Sequence, residues 1–189
     1  FRGDIIKGDQ IMQFFAKKIL KRNLPLVTTI MTNNKIEDNL KSKKIRIIQT
    51  DVGDRNVYFE MLKNGSNFGG ENSGHYIFKD FFKTSDANFT MLKLLSLVKS
   101  RIDINKISNI KLNPSCLKSF EIKRKKPIEK IEFIRKYKKK FHNKYKNYYL
   151  NIRYSGTESK IRILIQGPSM KIIKNEIKLF GMLLVQNKL

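Results

Sequence analysis

The sequence predicts an α/β fold in two parts: a mixed α/β domain, then a small α+β domain. Three observations carry this. Strand-like and helix-like segments alternate from the N-terminus to about Ile110, the pattern of a largely parallel layer. Beyond that point two strand-like runs lie next to each other in sequence, with one helical stretch before them and one after. Between the two textures stands Asn113-Pro114, and the residue before a proline is steered away from helix, which marks a boundary. The 189 residues, 40% of them apolar, give each part enough material for a core without disulfides or metals.

The elements follow in order. Gly8–Arg22 places Ile11, Met12, Phe15, Ile19 and Leu20 at helical spacing with Lys17, Lys18 and Lys21 opposite, and Asp9 suits the dipole in its first turn. Leu26–Met31 is short, apolar and β-branched, hence a buried strand. A helix-sized stretch at Asn34–Lys41 and a strand at Ile45–Gln49 come next. Asp54–Lys63 reads as a helix whose apolar side is Val57, Phe59, Met61 and Leu62. Tyr76–Phe78 reads as a strand, and Ser85 is placed to cap a helix running to about Lys99. In the second part Leu117–Lys123 is strand-like, and Pro127 suits the first position of a helix. Tyr149–Arg153 and Ile161–Gln166 flank a loop of small residues. Pro168 opens a last helix whose Ile173, Ile177, Phe180 and Leu184 step by four, three and four.

The charge is conspicuous: 40 Lys+Arg against 16 Asp+Glu, a net +24. Such a field attracts polyanions. Yet 31 of the 40 are Lys and only 9 are Arg, the residue favoured for base edges and bidentate phosphate contacts. Lys accompanied by abundant Ile, Asn, Phe and Tyr is the signature of A/T-rich codons, so charge alone assigns no function. The lone Cys116 excludes a disulfide framework and fits a reducing, cytoplasmic setting. No run approaches the ~18 apolar residues of a membrane span, so no membrane partner is expected. The chain begins with Phe1 rather than Met, which reads as a fragment or a processed product.

Three segments place small and charged residues between elements, where binding sites form. In Gly69-Gly70-Glu71-Asn72-Ser73-Gly74-His75 the glycines admit close approach, while Glu71, Asn72 and Ser73 offer a carboxylate, an amide and a hydroxyl to a polyhydroxylated ligand. His75 can donate a hydrogen bond or a proton. A Gly-rich turn with an incidental carboxylate is the plainer reading of the same residues. In Arg153-Tyr154-Ser155-Gly156-Thr157-Glu158-Ser159-Lys160-Ile161-Arg162, two of the scarce arginines bracket a loop of hydroxyls and free N–H groups. Arg153, Ser155, Gly156, Thr157 and Arg162 suit a phosphate. The plainer reading is a hairpin with solvated arginines. In Val52-Gly53-Asp54-Arg55, Asp54 can cap the following helix, and Arg55 in the first turn opposes its dipole, which hints at an anionic partner.

The Lys123–Lys146 tract holds twelve basic residues interleaved with Phe133, Tyr137, Phe141 and Tyr145. It reads foremost as a helix with a solvated face. Basic–aromatic interleaving also serves single-stranded RNA, so an RNA-binding module is the alternative, although nucleic acid is not the expected partner. No cluster of His, Cys or carboxylates has metal-ligand spacing.

Gly8-Asp9-Gln10-Ile11-Met12, Val52-Gly53-Asp54-Arg55, Gly70-Glu71-Asn72-Ser73-Gly74-His75 and Arg153-Tyr154-Ser155-Gly156-Thr157-Glu158 together resemble, in order and spacing, the α-D-phosphohexomutases, specifically those acting on amino sugars. The resemblance covers nearly the whole chain but only the C-terminal half or so of such an enzyme. It implies that residues 1–7 are the tail of a preceding domain, 8–110 the third, sugar-recognising domain, and 111–189 the fourth, phosphate-holding domain. It implies a phosphorylated amino sugar as ligand, with Glu71, Asn72, Ser73 and His75 at the sugar and Asp54 and Arg55 in support. Arg153, Ser155, Gly156, Thr157 and Arg162 would hold the phosphate that is not transferred. The family's reaction moves a phosphoryl group between O6 and O1 by way of a bisphosphate. Its phosphoserine and its Asp-rich Mg²⁺ loop have no counterpart here, because the sequence has no Asp-x-Asp-x-Asp run. The resemblance thus implies a chain that works only with a separate N-terminal half, a piece of a whole enzyme, or a non-catalytic phosphosugar-binding remnant. Tyr154 stands where the family usually has Lys or Pro, and Ser159 where it usually has Pro.

Overall fold

The computed structural model describes residues 3, 5–21 and 23–189. Phe1, Arg2 and Asp4 of the expected 1–7 segment lie outside the described residues, as does Arg22, the expected end of the first helix. The described chain forms two units, 1–112 and 113–189.

In the first unit the order is α1 (Gly8–Ile19), β1 (Leu26–Thr29), α2 (Lys35–Lys41), β2 (Ile47–Thr50), α3 (Asp54–Lys63), β3 (Phe68–Gly70), β4 (Tyr76–Phe78), α4 (Ala87–Leu97) and α5 (Arg101–Ser108). The strands lie in the order β2-β1-β3-β4. β1 pairs in parallel with both β2 and β3, and β4 returns antiparallel on β3. The side-chain alternation of a strand sorts the core into two layers. Leu26, Phe68, Tyr76 and Phe78 meet Met12, Phe15 and Ala16 of α1 and Ile36 and Leu40 of α2. On the other face Val27 and Ile77 meet Val57 and Met61 of α3. Phe15 is the hub, fully buried, its ring edge-on to those of Phe68, Tyr76 and Phe78 at 5.2–5.7 Å.

Several boundaries differ from the sequence reading, each for a local reason. β3 is unexpected because two of its three residues are glycines. The glycines are there for packing: a Cβ on Gly69 would stand 2.7 Å from the Val27 carbonyl and 2.8 Å from Met61 Sδ. The strand predicted to reach Met31 stops at Thr29, where the Thr32 N–H turns back onto the Thr29 carbonyl. On α3 only Val57 and Met61, one turn apart, face the sheet. Phe59 and Leu62 are exposed, contrary to expectation, because their positions rotate them off that face. Asp86 rather than Ser85 caps α4, its carboxylate accepting from the Phe89 N–H at 2.6 Å. The helix then breaks at Val98, and α5 follows.

The second unit contains β5 (Ser115–Glu121), a 3-10 turn (Ile128–Lys130), α6 (Glu132–Lys144), β6 (Tyr149–Tyr154), β7 (Lys160–Gln166) and α7 (Met170–Gln186). The antiparallel sheet has the order β5-β7-β6. Ile161, Ile163 and Ile165 of the central β7 pack with Ile134, Tyr137 and Phe141 of α6 and Ile173, Ile177 and Phe180 of α7. Pro127 leads only into the 3-10 turn. Its extended backbone, ψ 122°, postpones the α-helix to Glu132. Ser169, one residue after Pro168, caps α7 through its hydroxyl. Among the described residues no helix is long and apolar enough to cross a membrane.

Candidate functional site

In the first unit the Glu71–His75 segment is the loop of the β3–β4 hairpin. The Glu71 N–H donates to the His75 carbonyl at 2.9 Å, and the Gly74 N–H donates to the Glu71 carbonyl at 3.1 Å. Gly74 has φ +101°, a conformation open to glycine. The loop is seated on α1. A Cβ at Gly8 would lie 2.2 Å from the Asn72 carbonyl oxygen, so only glycine fits there. Beside it the Tyr76 hydroxyl donates to the Gly8 carbonyl at 2.7 Å.

Glu71 is buried, and its Oε2 accepts from the Gly53 N–H at 3.2 Å, so the hairpin loop is tied to the turn that opens α3. Gly53, at φ +122°, is the N-cap of α3. Asp54 is therefore the first helical residue rather than the cap. Its carboxylate accepts from the Thr84 hydroxyl at 2.8 Å. That bond, with the backbone N–H groups of Arg55 and Ser85 and the nearby His75, outweighs partial burial and holds the Asp54 carboxyl below the usual range. Ser73 Oγ and His75 Nδ1 share a hydrogen bond of 2.9 Å at the exposed rim. Glu71, Asn72, Ser73, His75 and Asp54 thus form one cluster. Arg55 does not join it: its guanidinium lies over the Phe59 ring, 5.5 Å from the centroid. Behind the cluster sits buried Asp9, accepting from the Asn33 N–H at 3.2 Å. Burial lifts its carboxyl from 3.8 to about 6, although that hydrogen bond and Lys7 oppose the rise. The dipole reading of Asp9 missed this desolvation.

In the second unit residues 155–159 connect β6 to β7. Arg153 and Arg162 are direct cross-strand partners. Like charges in that position repel and favour a neutralising anion between or beside them. Glu158 supplies a single one, shared between Arg162, Oε2 to Nη2 at 2.9 Å, and Lys160, which meets Oε1. Lys160 first and Arg162 next hold the Glu158 carboxyl below its usual range. Arg162 therefore does not point freely at an incoming anion. Its Nη2 is engaged by Glu158, and its Nε is buried without a hydrogen-bond partner among the described residues. Arg153 Nη1 donates to the Tyr154 carbonyl at 3.3 Å. Ser155 is buried, its N–H donating to the Lys160 carbonyl at 2.8 Å, whereas Gly156 and Thr157 form the exposed tip.

Two contacts here lay beyond sequence reasoning. Lys125 Nζ donates to the Ser155 carbonyl at 3.1 Å. The Tyr154 hydroxyl donates to the Lys126 carbonyl at 2.6 Å and accepts from the Lys126 N–H at 3.2 Å. Tyr154 thus fastens the 125–126 strap, which brings an ammonium to the loop. Partners 28 and 30 residues apart leave no periodic signal. The Mg²⁺ implied by the resemblance does not fit these residues: among those described, no three His, Cys, Asp or Glu side chains gather closely enough to hold a metal ion.

Known proteins resemble this chain in sequence and in fold. A phosphoglucosamine mutase of Campylobacter curvus is 36% identical over 189 residues, covering 94% of this chain and 42% of the relative. One from a Nitratiruptor species is 36% identical over 176 residues, covering 90% and 39%. The chain thus spans about two-fifths of the length of these curated relatives. Among solved structures, the N-acetylphosphoglucosamine mutase of Aspergillus fumigatus superposes with a TM-score of 0.77 at 15% identity, over 98% of this chain and 44% of its own. The same enzyme in complex with GlcNAc-6P and magnesium gives 0.66 at 16% identity, over 92% and 46%. At such identities the likeness shows the fold. Residues 7–112 match the family described as phosphoglucomutase/phosphomannomutase, alpha/beta/alpha domain III. The chain belongs to the phosphoglucomutase/phosphomannomutase family.

Proposed function

We propose that this chain supplies the substrate recognition of a phosphoglucosamine mutase, which interconverts glucosamine 6-phosphate and glucosamine 1-phosphate. Residues 8–110 act as the sugar-recognising domain and 111–189 as the phosphate-holding domain. The observation that carries the reading is the facing pair Arg153 and Arg162 beside the Ser155–Thr157 loop. Facing positions on neighbouring strands put two like charges on one face of the sheet, and a phosphate is the anion that can join them. In this reading Arg153, Ser155, Gly156 and Thr157 bind the phosphate directly. Arg162 contributes once Glu158 yields or shares it. Glu71 and Ser73 meet sugar hydroxyls, with Asn72 and His75 alongside, and Asp54 supports the turn.

The curated relatives carry the name of this enzyme, and a solved relative has been captured with GlcNAc-6P and magnesium. Within these residues the chemistry is positioning: fixing the sugar and its non-reacting phosphate brings the reacting end to one place. No phosphoryl-transfer step is assigned to them. We place the activity in the cytoplasm, in keeping with the free, half-buried Cys116.

The RNA reading is weaker, because Tyr137 and Phe141 are buried in the core and cannot stack on bases. The test is complementation. Mixing this chain with a polypeptide carrying the relatives' N-terminal half, Mg²⁺ and a hexose 1,6-bisphosphate restores isomerisation of glucosamine 6-phosphate. Phosphosugar binding without turnover in any such mixture identifies a non-catalytic remnant instead.

A further inference from the structure

An open groove of about 950 Å³ runs between α6 and α7 in the second unit. The two helices are antiparallel across it. Phe133 near the start of α6 meets Phe180, while the Tyr145 hydroxyl, just past its end, donates to the Glu176 carboxylate at 2.8 Å. Tyr137 and Phe141 form the floor. The α6 wall carries Lys136, Lys139, Lys140 and Lys144. On the α7 side the groove is lined by Leu179, 44% exposed, and Leu183. They stand one turn apart and make that wall an apolar strip. One wall is basic, the other apolar.

Nothing nearby neutralises the basic wall in full. Lys136 pairs with Glu132 at 2.7 Å, and Lys144 approaches Glu176 only to 4.0 Å. Glu176 is itself buried and accepts hydrogen bonds from Tyr137 and Tyr145. Among the described residues Lys139 and Lys140 have no carboxylate partner.

We propose that this groove docks an acidic amphipathic helix of a partner protein, its apolar stripe against α7 and its carboxylates against the lysines of α6. The mode is helix-in-groove recognition. The 13 residues of α6 span about 20 Å, room for three to four turns of such a helix. A second copy of this chain is disfavoured by like charge, at +24 each. Stacked bases are disfavoured because the floor rings of Tyr137 and Phe141 are only 5% and 2% exposed. A flat bilayer cannot reach a concave floor. The proposal is independent of the phosphosugar reading, since none of its residues belongs to the Arg153–Arg162 hairpin.

The test uses the full chain and a fluorescein-labelled synthetic peptide of about 14 residues, long enough for those turns. It carries Leu at helical spacing with Glu on the flanks. Binding is read by anisotropy at physiological salt. Controls are the scrambled peptide of the same composition, polyuridylate, and phosphatidylserine-containing vesicles. The amphipathic peptide binds at least about tenfold tighter than the scrambled one. Lys139→Glu combined with Lys140→Glu abolishes that preference, as does Leu179→Asp, while Arg153→Ala leaves it unchanged. These side chains are exposed, and circular dichroism verifies that the variants fold. Equal binding of the two peptides, unchanged binding in both groove variants, or a response to polyuridylate or vesicles alone overturns the proposal.

Discussion

The two loops do related work by different physical means. The Glu71–His75 loop is held by packing and main-chain ties: Gly8 against the Asn72 carbonyl, Tyr76 on the Gly8 carbonyl, and Glu71 on the Gly53 N–H. It hangs on a core centred on Phe15. The 155–159 loop is held largely by charge, with Glu158 between Lys160 and Arg162 and Lys125 on the Ser155 carbonyl. A sugar offers hydroxyls, whose recognition needs fixed geometry. A phosphate offers charge. In the function proposed above, the first loop is set before ligand arrives, and the second trades an internal carboxylate for an external anion.

Substitutions separate these two modes, the largest effect coming first. Phe15→Ala removes the aromatic hub and costs about 3–5 kcal/mol in urea unfolding followed by circular dichroism. A loss under about 1 kcal/mol would detach the sugar loop from that core. Gly8→Ala forces a Cβ onto the Asn72 carbonyl and costs about 1–3 kcal/mol. Gly156→Ala, with nothing within 4 Å of the new Cβ, stays within about 0.5 kcal/mol. Similar costs at the two glycines would erase the contrast.

Acid acts on the two regions with opposite sign. The folded-state value of Asp9, about 6, lies above its ordinary 3.8, so its favourable contribution is full below about 3.8 and lost as pH rises through 6. Asp9→Asn is accordingly more stable than the parent at pH 8, by roughly 1–3 kcal/mol, and the advantage vanishes near pH 4. Glu158 is held below its ordinary 4.5, so its pairing is complete above that value and lost as pH falls through the lower folded value. In acid titrations followed by NMR, the Arg162 side-chain N–H signals shift only below that range. In Glu158→Gln they do not shift there at all, and global stability changes least of the series.

The layout of helices and strands was largely legible, because periodicity reports which side of an element is buried. Ile173, Ile177, Phe180 and Leu184 of α7 are all buried as their spacing requires. Less legible was anything decided by contact. β3 was hidden because Gly69 and Gly70 read as loop until Val27, Met61 and Tyr76 are seen crowding them. At the candidate site, residue types announced both loops. Their wiring, Glu71 to Gly53, Arg162 to Glu158 and Tyr154 to Lys126, joins side chains whose meeting depends on the fold. Arg55 shows the limit best: its place in the first turn of α3 suggested an anion, and an aromatic ring took it instead.

Isothermal titration of glucosamine 6-phosphate into the full chain is the decisive measurement. Binding is saturable, falls at least about tenfold in Arg153→Ala and is absent for unphosphorylated glucosamine. Ser73→Ala weakens it further, without altering the fold. Binding that is indifferent to Arg153, or equal for glucosamine with and without its phosphate, would contradict the proposed function.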